Sequence, residues 1–183
     1  MNYHNITTDD MLNGEGLRVV LWLSGCSHHC KGCQNPQTWD ENSGIEFDLS
    51  AKNEIFEELS KDYISGITFS GGDPLHENNI EDVLNLIIEI RNKFPNKTIW
   101  LYTGYTWESI MWSRCPHPPK HTAKEFLQWN QRNEIVSNID VLVDGRYDDN
   151  KRDISLHWRG SSNQRVIDVH ESIKQNKVVL YDT

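Results

Sequence analysis

Leu17-Arg-Val-Val-Leu-Trp-Leu23 runs through Ser24-Gly25 directly into Cys26-Ser-His-His-Cys30-Lys-Gly-Cys33. The first part is short, apolar and bounded by Gly16 and Gly25, the pattern of a strand buried on both faces inside a parallel sheet. The second part packs three of the chain's four cysteines into one short loop with the spacing C-x3-C-x2-C. A strand that delivers a cluster of thiols at its carboxyl end is the unit from which the rest of the chain can be read.

Downstream, apolar and polar stretches alternate in α/β order. Residues 49–59 place Ile55, Phe56 and Leu59 at helical spacing, with Asp48 or Ser50 available as a cap. Gly66-Ile-Thr-Phe-Ser70 reads as a second strand, broken by Gly71-Gly72-Asp73-Pro74. Ile80, Val83, Leu84, Ile87 and Ile88 trace one face of a helix that must stop by Pro95. Thr98-Ile-Trp-Leu-Tyr102 and Ile139-Asp-Val-Leu-Val143 supply two further strands, ending at Thr103-Gly104 and Asp144-Gly145. A helix is expected over 123–129, and short terminal strands over 165–169 and 177–180. Three prolines within residues 112–121 forbid regular structure there and predict an inserted surface loop.

The 183 residues suffice for a single domain with one core, and the expectation is one domain over 1–183. A full eight-stranded barrel takes roughly 250 residues. The shorter chain therefore predicts a partial, open (β/α) barrel with a mainly parallel sheet of about five or six strands. The net charge of −9 disfavours nucleic acid as the main ligand, because neutralising phosphates requires a basic surface. No apolar run approaches the roughly 20 residues of a membrane span. Residues 1–10 carry no basic start followed by an apolar stretch, so the cytoplasm is the default location.

In a reducing compartment, clustered cysteines indicate metal binding or catalysis before disulfides. Three thiolates are one too few for a closed iron–sulfur site, so Cys26, Cys30 and Cys33 predict a cluster with one iron left open to a substrate. Three other readings of the same residues stand beside it. The loop could hold a structural zinc completed by His28 or His29, a closed cluster completed by Cys115, or unligated core thiols. The Gly-Gly pair and Asp73 follow a strand, as does the cysteine loop, and ligands of parallel α/β folds bind at that rim. The same residues are also ordinary turn formers, and Asp73 could cap the next helix.

The C-x3-C-x2-C loop after a first strand resembles the signature of the radical S-adenosylmethionine superfamily. Further stretches are similar to the anaerobic ribonucleoside-triphosphate reductase-activating protein family: Met1-Asn-Tyr-His4, Cys33-Gln-Asn-Pro36, Ser70-Gly-Gly-Asp-Pro-Leu-His76, Tyr102-Thr-Gly-Tyr105, Val141-Leu-Val-Asp-Gly-Arg146 and Trp158-Arg-Gly-Ser-Ser-Asn-Gln164. Gly32 and Gln34 depart from the aromatic residues common beside the last cysteine in the superfamily. The resemblance implies a [4Fe-4S] cluster on Cys26, Cys30 and Cys33. It also implies S-adenosylmethionine held near Gly32, Cys33, Gln34, Ser70, Gly71, Gly72, Asp73 and Thr103. The implied reaction is reductive cleavage to methionine and a 5′-deoxyadenosyl radical, which takes hydrogen from a glycine of the reductase. No side chain then need serve as acid, base or nucleophile, and a reductant such as flavodoxin is implied as a second partner. A superfamily enzyme acting on a small molecule, such as a modified-nucleoside precursor, is the alternative, and a zinc-stabilised binding module is another.

Overall fold

The computed structural model describes residues 1–111 and 122–181. The expected insertion at 112–121, with Cys115, lies outside the described residues. The strands are β1 (Asn2–Asp10), β2 (Arg18–Leu23), β3 (Ile45–Glu46), β4 (Gly66–Gly71), β5 (Thr98–Tyr102), β6 (Val141–Asp144) and β7 (Arg165–Asp168). The helices are α1 (Leu49–Leu59), α2 (Ile80–Lys93), α3 (Trp107–Ile110), α4 (Ala123–Ser137) and α5 (Val169–Gln175).

The strands form one open, seven-stranded sheet in the order β3-β1-β2-β4-β5-β6-β7. Its centre, β2-β4-β5-β6, is parallel, while β1 and β7 flank it antiparallel. The mainly parallel centre matches the expectation, but the described residues form seven strands where about five or six were expected. The additional pairing comes from β1, whose sequence Asn-Tyr-His-Asn-Ile-Thr-Thr-Asp-Asp is too polar to announce a strand. It is held by register with β2, Ile6 facing Leu21 and Thr7 facing Val20. The two-residue β3 is held only by β1. At the other end, residues 177–180 make a single bridge, Leu180 to Ile167, in place of a strand.

Local chemistry explains the helices. The Asp48 side chain accepts from the Ala51 amide at 2.9 Å and caps α1, so the first of the two expected caps is the one used. Glu81 and Asp82 open α2 and Arg91 and Lys93 close it, each sign complementing the helix dipole. The apolar faces of α1, α2 and α4 close over Val19, Leu21, Leu23, Ile67, Phe69, Ile99 and Leu101 in one buried core.

The opposite face of the sheet carries Trp100, Val141, Val143 and Val166, with Tyr102, Trp158 and Tyr181 against them. Among these sits Arg18, fully buried. Its Nε donates to Thr68 Oγ1, one terminal nitrogen to Glu15 O and Thr98 Oγ1, and the other to Ile67 O and Thr98 O, at 2.7–3.0 Å. All five donors of the fork are thus satisfied by neutral oxygens. Burial lowers its pKa to about 10, so the guanidinium stays charged at neutral pH. Its charge lies 5.4 Å from the centre of the Trp100 ring. Arg18→Ala removes every one of these bonds and opens a void beside Trp100. It should lower stability by about 3 kcal/mol, a fall in Tm of roughly 6–12 °C by calorimetry.

Candidate functional site

The cysteine loop begins where β2 ends, and backbone bonds to two other segments hold it there. Gly25 N donates to Thr38 O at 2.8 Å and Cys26 N to Trp39 O at 3.0 Å, so the 3-10 turn Pro36–Thr38 braces the loop from behind. From β4, Gly72 N donates to Leu23 O and Asp73 N to Gly25 O, both at 2.7 Å. A Cβ on Gly72 would sit 2.5 Å from Gly25 O, so glycine is required there by the approach of two backbones. The pair was expected to make room for a ligand; here the neighbour of Gly72 is the cysteine loop itself.

Asp73 is 2% exposed and collects donors from several elements. Its carboxylate accepts from Leu75 N at 2.8 Å, Thr103 Oγ1 at 2.9 and 3.0 Å, and Gly104 N at 3.0 Å. It therefore ties the end of β4 to the end of β5. It does not cap α2, whose N-cap is Asn79. The Asn79 side-chain amide donates instead to Ser24 O at 2.7 Å and Asp73 O at 3.1 Å, a further link to the cysteine loop.

Neither histidine of the loop is turned toward the cysteines as a ligand would be. Arg146 Nε donates to His28 Nδ1 at 3.2 Å, which leaves the ring proton on Nε2 when the ring is neutral. That nitrogen lies 2.8 Å from Asp73 Oδ2 but is not aligned as a hydrogen-bond donor, so the contact is electrostatic. The His29 ring lies against Trp39 at 4.9 Å. Among the described residues, no three His, Cys, Asp or Glu side chains are drawn around a single ion. Thiolates on a multi-iron cluster each bind a different iron and need not converge on one point.

Cys26, Cys30 and Cys33 are free thiols, each partly exposed. Backbone amides of His28 and His29 point at Cys26, the Tyr147 amide at Cys30, and Asn35 N donates to Cys33 Sγ at 3.4 Å. Amides directed at sulfur stabilise thiolate ligands and tune an iron–sulfur centre, so this donor set fits a cluster. Burial pushes the Cys26 thiol up to about 11 and raises that of Cys30. These two thiols thus give up their protons to a metal less readily than an exposed cysteine would.

On the open face of the sheet the loop borders a cleft of about 530 Å³. Cys33, Gln34 and Ser70 line it, together with Trp22, Tyr102, Tyr147 and Trp158. Of the residues expected around a small ligand, Gly71, Gly72, Asp73 and Thr103 are not among those that line this cleft. Gly32 has φ +74°, and a Cβ there would meet Asp149 Oδ1 at 2.6 Å. The absence of a side chain at 32 lets the 145–151 segment close against the cysteine loop.

The residues 158–164, without strand or helix signature, fold as a turn around one amide. Gln164 Oε1 accepts from Gly160 N at 3.0 Å and Ser161 N at 3.2 Å, and its Nε2 donates to Gly145 O at 3.0 Å. The turn has a local fold role and also walls the cleft. Arg146, Tyr147 and Asp149 are the site residues that sequence reasoning missed. Only their place after a strand-ending Asp144-Gly145 could have signalled them. Asp144 itself is buried and paired with Arg165, which holds the Glu108 carboxyl below its usual range.

Residues 12–167 match the protein family described as a 4Fe-4S single cluster domain. The chain is 40% identical over 166 residues to the anaerobic ribonucleoside-triphosphate reductase-activating protein of Enterobacteria phage T4, covering 91% of this chain and 93% of that one. It is 40% identical over 168 residues to the Escherichia coli protein of the same name, covering 91% and 97%. The Pasteurella multocida protein of that name is 37% identical over 168 residues, covering 91% and 96%.

The backbone contact at Gly72 yields a test of the loop's support. Gly72→Ala should destabilise the chain by about 2 kcal/mol, since neither backbone can yield cheaply. It should also reduce the iron bound per chain after anaerobic reconstitution, measured by colorimetric iron analysis.

Proposed function

Because the chain belongs to the family of anaerobic ribonucleoside-triphosphate reductase-activating proteins and carries its 4Fe-4S single cluster domain, we propose that it is the activase of such a reductase. It is an oxidoreductase with an iron–sulfur cluster, and it makes a glycyl radical on its protein substrate. The single observation that carries this reading is the loop of three free, amide-braced thiols opening on the cleft.

Cys26, Cys30 and Cys33 would hold the [4Fe-4S] cluster, three thiolates for four irons, with the remaining iron available to S-adenosylmethionine. When bound, the cluster would supply the electron for reductive cleavage of S-adenosylmethionine, the chemistry from which a glycyl radical on the reductase would come. Gln34 and Ser70, beside Cys33 on the cleft wall, face the sulfonium compound directly. Gly32, Gly71, Gly72, Asp73 and Thr103 serve it indirectly by fixing the loop. The 145–164 segment covers one side of the cleft and limits water there, while the open side of the sheet admits a protein segment.

The open sheet with a parallel centre is compatible with a partial barrel of the radical S-adenosylmethionine type, one domain over 1–183. Among the described residues, no helix is long and apolar enough to cross a membrane. A cytoplasmic setting with a reductant such as flavodoxin suits a reduced cluster.

Anaerobic purification should yield about four irons per chain. The reduced protein should form 5′-deoxyadenosine, and electron paramagnetic resonance should detect a glycyl radical on added reductase. Replacing Cys26, Cys30 or Cys33 by Ala should abolish all three signals, while Cys115→Ala retains them. Bound zinc without iron in the wild-type protein would overturn the reading.

A further inference from the structure

Tyr102 ends β5 on the sheet face opposite the helices, pairs with Val143 across β6, and lines the cleft that Cys33 borders. Its hydroxyl is buried and has no hydrogen-bond partner among the described residues. Several other polar groups of the cleft wall already have hydrogen-bond partners. Trp22 Nε1 donates to Thr7 Oγ1 at 2.7 Å, and the Asn13 amide to the Asp10 carboxylate at 3.0 and 3.1 Å. Tyr147 Oη donates to Asp149 at 3.0 Å, and Arg159 to Gln164 O at 2.7 Å.

A buried hydroxyl without a partner is a desolvation penalty that phenylalanine would not incur in the same space. Resting on the activase reading above, we propose that the Tyr102 hydroxyl is a binding residue for S-adenosylmethionine, donating a hydrogen bond to one of its oxygens within the cleft. Burial raises the Tyr102 pKa above its ordinary value, so the phenol keeps its proton and acts as a donor. The side chain stands in the cleft wall with its hydroxyl buried. A ligand that fills the cleft meets this wall, and a protein segment crossing the mouth does not.

Calorimetric titration of S-adenosylmethionine into the anaerobically reconstituted chain separates the possibilities. Tyr102→Phe should raise Kd about tenfold. Iron per chain should be unchanged, and Tm without S-adenosylmethionine unchanged or higher, because an unpaired buried hydroxyl has been removed. An unchanged Kd overturns the proposal, whether Tm falls, pointing to a structural partner, or glycyl-radical yield falls, pointing to the protein substrate. A wild-type chain that carries the cluster and binds no S-adenosylmethionine overturns the activase reading as well.

Discussion

The Asp73 carboxylate lies buried where the ends of β4 and β5 meet the cysteine loop, and the arrangement of the site hangs on it. A desolvated carboxylate is tolerable only when its lone pairs are occupied. Here Leu75 N, Thr103 Oγ1 and Gly104 N occupy them, and His28 lies alongside. Leu75 belongs to the turn after β4, Thr103 and Gly104 to the turn after β5, and His28 to the cysteine loop, so one buried carboxylate links three segments at the carboxyl rim. The backbone of the same residue reaches Gly25 O, which transfers that rigidity to the first residues of the cysteine loop.

The two faces of the sheet obey different physics. The helix-covered face is packed with aliphatic side chains and is held by burial. The open face carries aromatic rings, a fully hydrogen-bonded Arg18 and a cleft. A charged side chain under Trp100 is stable only because neutral oxygens of β4, β5 and the 13–16 turn answer all five of its donors. That network stiffens the amino-terminal end of the sheet and leaves the carboxyl end to the loops that carry chemistry. A reactive centre needs this division, since the thiols must be held still while the space beside them stays open to a ligand and a protein partner.

Much of this was legible in the sequence, because period and punctuation are local. The apolar run from Leu17 to Leu23, the face traced by Ile80, Val83, Leu84 and Ile87, and the break at Gly71-Gly72 each report on their own neighbourhood. The cysteine spacing is equally local, which is why the thiols could be singled out before any contact was known. β1 was illegible because its stability comes from pairing with β2 and not from its own polar residues.

The sequence by itself thus determined the alternating α/β order, the parallel centre of the sheet and the three thiols on a strand-end loop. Only the tertiary structure decided which residues stand behind those thiols. It set Gly72 against Gly25 and Gly71 against Leu23, and made Asp73 a tie between strand ends. It also brought Arg146, Tyr147 and Asp149 from over a hundred residues away to the cysteine loop. Such contacts depend on how far apart two segments lie in space, a quantity that no pattern of neighbouring residues encodes.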